Sequence, residues 1–201
     1  MTKQELLRKL ADRFPERIVR AFGDVDRERF MDPDYAYVDA PYPIGEGQTI
    51  SQPSTIAFML HLLDPQPGEE VLELGSGSGY VCALLSGLVR PGHVYGVELR
   101  KDLADRSREL LEAYDNVSVH NQDGSTGLMQ HAPYHKILIS AEMQDVPRHL
   151  LMQLEHDGII VVPILGSIYR IVKSGGNVRH EEYPGFAFVP FQGGEKGATR
   201  L

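Results

Sequence analysis

Cysteine occurs once in these 201 residues, as Cys82. One thiol excludes an internal disulfide, and such sparse usage fits a reducing, cytoplasmic setting. Long hydrophobic runs are missing too: no stretch approaches the roughly 20 apolar residues of a membrane-spanning helix. Positive charge is scarce. Lys and Arg total 20 against 28 Asp and Glu, a net charge of -8. That balance argues against unassisted binding to a nucleic-acid backbone or an anionic membrane, although an acidic average can still hide a local basic patch. The first ten residues place Lys3, Glu5, Arg8 and Lys9 among leucines, which no signal peptide tolerates in its apolar region. Internal repeats and low-complexity tracts are absent.

What remains is ordinary: 42% hydrophobic and 24% charged residues, enough chain to bury the core of one moderate domain. Residues 2–30 read as helical. Thr2 and Glu5 form a capping box, Leu6, Leu7, Leu10 and Phe14 share one face, and Ile18, Val19 and Phe22 mark a second helix after Pro15. Prolines and glycines between 31 and 50 argue against regular structure there. A third helix opens at Pro53 and carries Ile56, Met59, Leu60 and Leu63 before Pro65 ends it.

From residue 70 strands and helices alternate. Apolar strands are expected at 71–74, 94–97, 117–119, 136–141 and 159–162, with helices after the first two and over 146–154. Short apolar runs between helices are the mark of a parallel sheet covered on both faces. Near the end, Ile168–Lys173, the turn 174–177 and the apolar stretch 186–191 suggest an antiparallel hairpin.

Ligands of open parallel sheets bind beyond the carboxyl ends of the strands. Gly75-Ser-Gly-Ser-Gly79 stands there after the first strand. The dinucleotide fingerprint G-x-G-x-x-G requires glycine where this chain has Tyr80, so a ligand without pyrophosphate fits better. No Gly-Lys-Ser/Thr follows, which excludes a P-loop. Glu98 ends the second strand, 19 residues past Gly79, where a carboxylate accepts hydrogen bonds from ribose hydroxyls; a solvated pair with Arg100 or Lys101 is the plainer alternative. Asp123-Gly124 follows the third strand, either facing an adenine amino group or simply making a turn. Glu73, just ahead of the glycines, either orients the loop, approaches a ligand amino group or is an edge-facing polar residue. His131 and His135 are separated by Pro133, share no helix face and suggest no metal. Cys82 reads as a small buried hydrophobe, and Asp102 with Arg106 as a solvated helix pair.

The motifs carry a resemblance. Val71-Leu-Glu-Leu-Gly-Ser-Gly-Ser-Gly79 resembles the first motif of class I methyltransferases. Pro43-Ile-Gly-Glu-Gly-Gln-Thr-Ile-Ser-Gln-Pro53 is more specific and resembles the loop ahead of the first strand in protein-L-isoaspartate O-methyltransferases. Arg27-Glu-Arg-Phe30, Asp39-Ala-Pro-Tyr-Pro-Ile44, Asn116–Gly124, Ala132-Pro-Tyr134, Val161-Val-Pro163 and Phe188-Val-Pro190 extend the match across residues 15–191.

The resemblance implies an α/β fold: a Rossmann-like seven-stranded methyltransferase sheet with helices on both faces, an antiparallel C-terminal hairpin and an N-terminal helical extension. Its expected divisions are 1–66, extension and active-site loop; 67–192, core; 193–201, flexible tail, all one compact domain. It implies S-adenosyl-L-methionine as cofactor, S-adenosyl-L-homocysteine as product, and transfer of the methyl group to the α-carboxylate of L-isoaspartyl residues in damaged proteins. Such a carboxylate is already ionised at neutral pH and needs no general base; the ester then collapses to a succinimide unaided. Ser51 matches the catalytic serine, the bland alternative being a cap for the helix at Pro53. Gln48, Thr49, Ile50, Ser51, Glu73, Gly75, Gly77, Gly79, Glu98, Leu99, Asp123 and Gly124 form the expected cofactor shell. A monomer acting on proteins, with no nucleic acid, membrane or metal, is the accompanying expectation.

Two segments depart from the family pattern. Ile164-Leu-Gly-Ser-Ile168 stands where a glutamine is frequent, and Glu142 and Met143, within 141–147, where small residues are usual. They bear on substrate choice more than on cofactor. The rivals are therefore a class I methyltransferase for RNA or a small molecule, a binding module without turnover and, more distantly, a nicotinamide oxidoreductase.

Overall fold

The computed structural model describes residues 1–193; apart from Gly193, the tail expected at 193–201 lies outside them. The chain opens with helices α1 (Lys3–Ala11) and α2 (Glu16–Asp24). Thr2 and Glu5 form the anticipated capping box. Leu6, Leu10, Ile18 and Phe22 are buried, the stripe that 3.6-residue periodicity selects.

The segment expected to be irregular contains a small hairpin, β1 (Tyr42–Gly45) and β2 (Gln48–Ile50), paired antiparallel. Its turn has Gly45, Glu46 and Gly47 all at positive φ. The glycines that argued against a strand are what let the chain reverse. Helix α3 (Pro53–Leu63) follows with proline in its first turn.

The main sheet comprises β3 (Val71–Leu74), then α4 (Tyr80–Val89), β4 (Val94–Glu98), α5 (Lys101–Leu111), β5 (Val117–Asn121), β6 (Tyr134–Ile139), α6 (Arg148–Met152), β7 (Leu154–Ile164), β8 (Ser167–Ser174) and β9 (Asn177–Pro184). Seven strands lie in the order β5-β4-β3-β6-β7-β8-β9. The first five in that order run parallel, β8 runs antiparallel to β7, and β9 antiparallel to β8. The order reverses at β3, which places the crevice of a doubly wound sheet there.

Alternation along the strands splits the core. Val71, Val94, Leu138 and Val161 pack with α1 to α4 on one face. Leu72, Leu74, Val97, Ile137 and Val162 face the other, under Leu128 and Leu150. Among the described residues that second face carries only α6 and two single-turn 3-10 helices, Gly124–Thr126 and Met129–His131. The helix expected over 146–154 is confined to five residues by Pro147 before it and β7 after it.

Two further expectations change in detail. The hairpin's outer strand is 177–184 rather than 186–191, because the ladder from β8 continues straight through the turn at Gly175-Gly176. The apolar stretch 186–191 instead crosses to the cleft end of the sheet: Phe186 stacks on Phe58 and the Phe191 amide donates to the Glu142 carbonyl. On α5, Asp105 rather than Asp102 is the paired carboxylate, held by Lys101 and Arg108.

Gly96 on β4 leaves no room above it; a Cβ there would stand 2.8 Å from the Cys82 sulfur and 3.2 Å from Ser76. Gly96→Ala is expected to cost about 1–3 kcal/mol through overpacking, read as a lowered urea midpoint with unchanged slope.

Candidate active site

Two adjoining lobes open at the carboxyl ends of the central strands. The first spans about 550 Å³, part of it open to solvent, and is lined by Gln48, Thr49, Gly75, Gly77, Glu98, Leu99 and Gly124, with Val189–Gln192 along one side. The second, about 450 Å³, is lined by Thr49, Ile50, Ser51, Glu73, Gly75, Gly77 and Tyr80, among others. Thr49, Gly75, Gly77 and Ser140 belong to both, so the lobes form one elongated cleft with the glycine loop and the hairpin at its waist.

Backbone geometry explains the loop. The Gly75 and Ser76 amides donate to the Val97 carbonyl at 2.8 and 3.1 Å, tying the end of β3 to β4. Gly77 has φ +54 and passes under Ile44 of β1, whose Cδ1 would lie 3.2 Å from a Cβ at that position. Gly79 plays another part: it begins α4 at φ +84 and abuts Leu111 and Ser107 of α5, outside the lining of either lobe. Its lack of a side chain serves helix packing.

Glu98 points inward and is 5% exposed. Its Oε2 accepts the Gly77 amide at 2.8 Å and its Oε1 the Arg100 amide at 2.8 Å. A carboxylate has about four acceptor positions, so capacity remains toward the first lobe. Glu73 sits under the second lobe at 1% exposure. Ser140 donates to its Oε1 at 2.8 Å, and Cys82 to its Oε2 at 2.9 Å. Burial raises the Glu73 carboxyl from 4.5 to about 7; the Cys82 and Ser140 hydrogen bonds oppose that rise and the Glu98 charge adds to it. Cys82, buried as expected, is thus also a donor, and burial pushes its thiol well up.

Ser51 lines the second lobe, just ahead of α3. Helix capping does not account for it: the N-cap is Gln52, and the first-turn amide of Ser54 is met by Asp39 at 2.9 Å. Asp123 lies outside the lining of both lobes; it is exposed, and its Oδ1 accepts the Ser125 amide at 2.8 Å. Its neighbour Gly124 lines the first lobe beside Phe191.

Ser140 and the 189–192 segment were not anticipated as cleft residues. A polar residue one position past a parallel strand was the available signal for Ser140. For 189–192 there was none, since the contact spans most of the chain. The departures at 142 and 166 prove to touch: the Gly166 amide donates to the Glu142 carboxylate at 3.0 Å, and Met143 bridges to Ile164. Among the described residues no group of three or more His, Cys, Asp or Glu is placed to hold a metal ion, and none of the helices is long and apolar enough to cross a membrane.

A reversed-order parallel sheet, a glycine loop after its first strand and an acidic residue ending the second define a nucleoside-binding α/β fold, and the solved structures it matches share the fold of class I methyltransferases. Comparison with known proteins narrows the class. A family model for protein-L-isoaspartate(D-aspartate) O-methyltransferase matches residues 1–196, and the chain belongs to that family. It is 47% identical over 189 residues to the protein-L-isoaspartate O-methyltransferase of Aeropyrum pernix, covering 88% of this chain and 73% of that one. The Methanopyrus kandleri enzyme is 43% identical over 191 residues, with 89% and 84% covered. A solved protein-L-isoaspartate O-methyltransferase superposes with a TM-score of 0.89 at 27% identity, covering 98% of this chain and 67% of that one.

Proposed function

We infer that this protein transfers a methyl group from S-adenosyl-L-methionine to the carboxylate of L-isoaspartyl residues, a protein-repair reaction. The observation that carries this reading is the pair of inward carboxylates, Glu98 and Glu73, flanking a glycine loop beneath the Ser51 hairpin. Glu98 at the end of β4 suits a ribose in either class of ligand, and Glu73 under the loop disfavours the approach of a pyrophosphate. Tyr80 agrees: where a dinucleotide fingerprint has glycine, it is a buried ring packed on Phe30.

The residues present fit the cofactor. Glu98 and Leu99 would meet the ribose, Asp123 and Gly124 flank the adenine end, and Gln48, Thr49, Ile50 and Ser51 close over the glycine loop. Gly75 and Gly77 admit close backbone approach, while Gly79 supports the loop from behind. Glu73 either sets the loop or receives the ligand ammonium. When bound, the group supplies a methyl carried on a positively charged sulfonium. The chain's own part is alignment and exclusion of water. Ser51 donates to the incoming carboxylate and aims it, and no protein base is required because that carboxylate is already ionised.

The chain acts as a cytoplasmic monomer on proteins rather than nucleic acids; its net charge of -8 supports the last point. The N-terminal segment 1–66 serves as the cover of the core 67–192, with which α1 to α3 share one buried cluster.

The test is radiolabel transfer to an isoaspartyl peptide and to its normal aspartyl twin. Methylation of the first alone is expected; equal labelling of both, or none, removes the substrate assignment. Ser51→Ala is expected to lower kcat by about 10–100-fold through lost alignment, with the S-adenosylhomocysteine dissociation constant unchanged in calorimetry. Full turnover in that variant would leave the serine no catalytic part.

A further inference from the structure

Arg27 is 1% exposed, yet no carboxylate among the described residues lies within ion-pair distance of it. Its Nη2 donates to the Ser51 carbonyl at 2.8 Å. Its guanidinium carbon lies 4.8 Å from the centre of the Tyr80 ring, and Tyr80 and Ser51 line the same lobe. Nε and Nη1 have no hydrogen-bond partner among the described residues. Asp39, the acidic residue that acts on it electrostatically, is committed elsewhere: its Oδ2 holds Lys9 at 2.6 Å and its Oδ1 the Ser54 amide at 2.9 Å. A buried charge without a counter-ion costs more than an apolar side chain of the same volume. A guanidinium cannot shed its proton to escape that cost. Packing alone is better served by methionine or leucine here, so the charge itself calls for a purpose.

We propose that Arg27 is a positioning residue for the acceptor carboxylate: it holds Ser51 through the backbone carbonyl and lends the second lobe a positive field that attracts an anion. The proposal rests on the reading of the reaction given above. The same field opposes a sulfonium, and it acts on ground states. In the transfer the carboxylate loses its charge as the sulfonium loses its own. A fixed cation beside them therefore favours the bound carboxylate more than the transition state, and its removal shows in KM before kcat.

The experiment compares wild type with Arg27→Met, Arg27→Gln and Arg27→Lys. With an isoaspartyl peptide, Arg27→Met is expected to raise KM about tenfold while changing kcat by less than about threefold, the size of one partly screened charge contact. Calorimetry supplies a readout independent of turnover. Loss of the cation is expected to shift the affinity ratio of S-adenosylmethionine to S-adenosylhomocysteine about threefold toward the charged ligand. Arg27→Lys, which keeps the charge, should hold that ratio at the wild-type value. Arg27→Gln, neutral but able to hydrogen-bond, replaces Arg27→Met if the latter does not fold. An unchanged ratio in the neutral variants, or a loss confined to kcat and stability, overturns the proposal. Wild type run in parallel separates the two claims: an inactive wild type refutes the reaction, whereas an active wild type with indifferent variants refutes only the part given to Arg27.

Discussion

Replacing Glu98 with alanine is expected to weaken S-adenosylhomocysteine binding by about 100-fold or more, since hydrogen bonds to a charged acceptor contribute about 1.5–3 kcal/mol each and, in the binding mode proposed above, two ribose hydroxyls would lose theirs. The effect is compounded within the protein. Glu98 accepts the Gly77 and Arg100 amides, so its removal also frees the glycine loop that forms the waist of the cleft. Isothermal titration checks the first consequence, and thermal unfolding of the ligand-free variant measures the second. Glu98→Gln preserves shape, loses charge and keeps only one acceptor oxygen, and should fall between wild type and alanine. Binding by Glu98→Ala within about threefold of wild type, under one hydrogen bond's worth, would detach this residue from the ribose.

A second large effect concerns pH. Burial holds the Glu73 carboxyl at about 7 against 4.5 in the open chain. With the folded value raised, the folded state binds the proton more tightly. The contribution to stability is therefore fully present below about 4.5, fades as pH rises and is gone above about 7. The shift corresponds to about 3 kcal/mol. Glu73→Gln cannot ionise, so its advantage over wild type in urea unfolding should grow by about that amount between pH 5 and pH 8. A constant difference across that range would mean that Glu73 is charged at every pH tested. Ser140 and Cys82 both donate to this carboxylate, and each favours the charged form; removing either should widen the pH-dependent gap.

Much of this molecule was legible before any coordinates. Helices α1 to α3 follow from capping, proline placement and one apolar face each, and the parallel strands from short apolar runs beside turn residues. The glycine loop, Glu98 and the Ser51 segment were recognisable because chain neighbours carry their signal. Distant partners were not. The 42–50 hairpin was obscured because proline and glycine disfavour strands on average, while a ladder of three residue pairs asks for little of the backbone. The 186–191 run was apolar in either role, as a strand or as a wall of the cleft. Gly79 reads as a ligand-loop glycine until Leu111 is seen against it.

The amino-acid order alone determined the first three helices, the places of the parallel strands and which polar residues stand at strand ends, because periodicity and turn chemistry act over a few residues. Only the tertiary structure decided that Glu73 and Glu98 share one cleft, that Val189–Gln192 close it, and that Arg27 lies behind Ser51 with no carboxylate partner among the described residues. Those are contacts across tens of residues, and burial, charge separation and shape exist only once the sheet has brought them together.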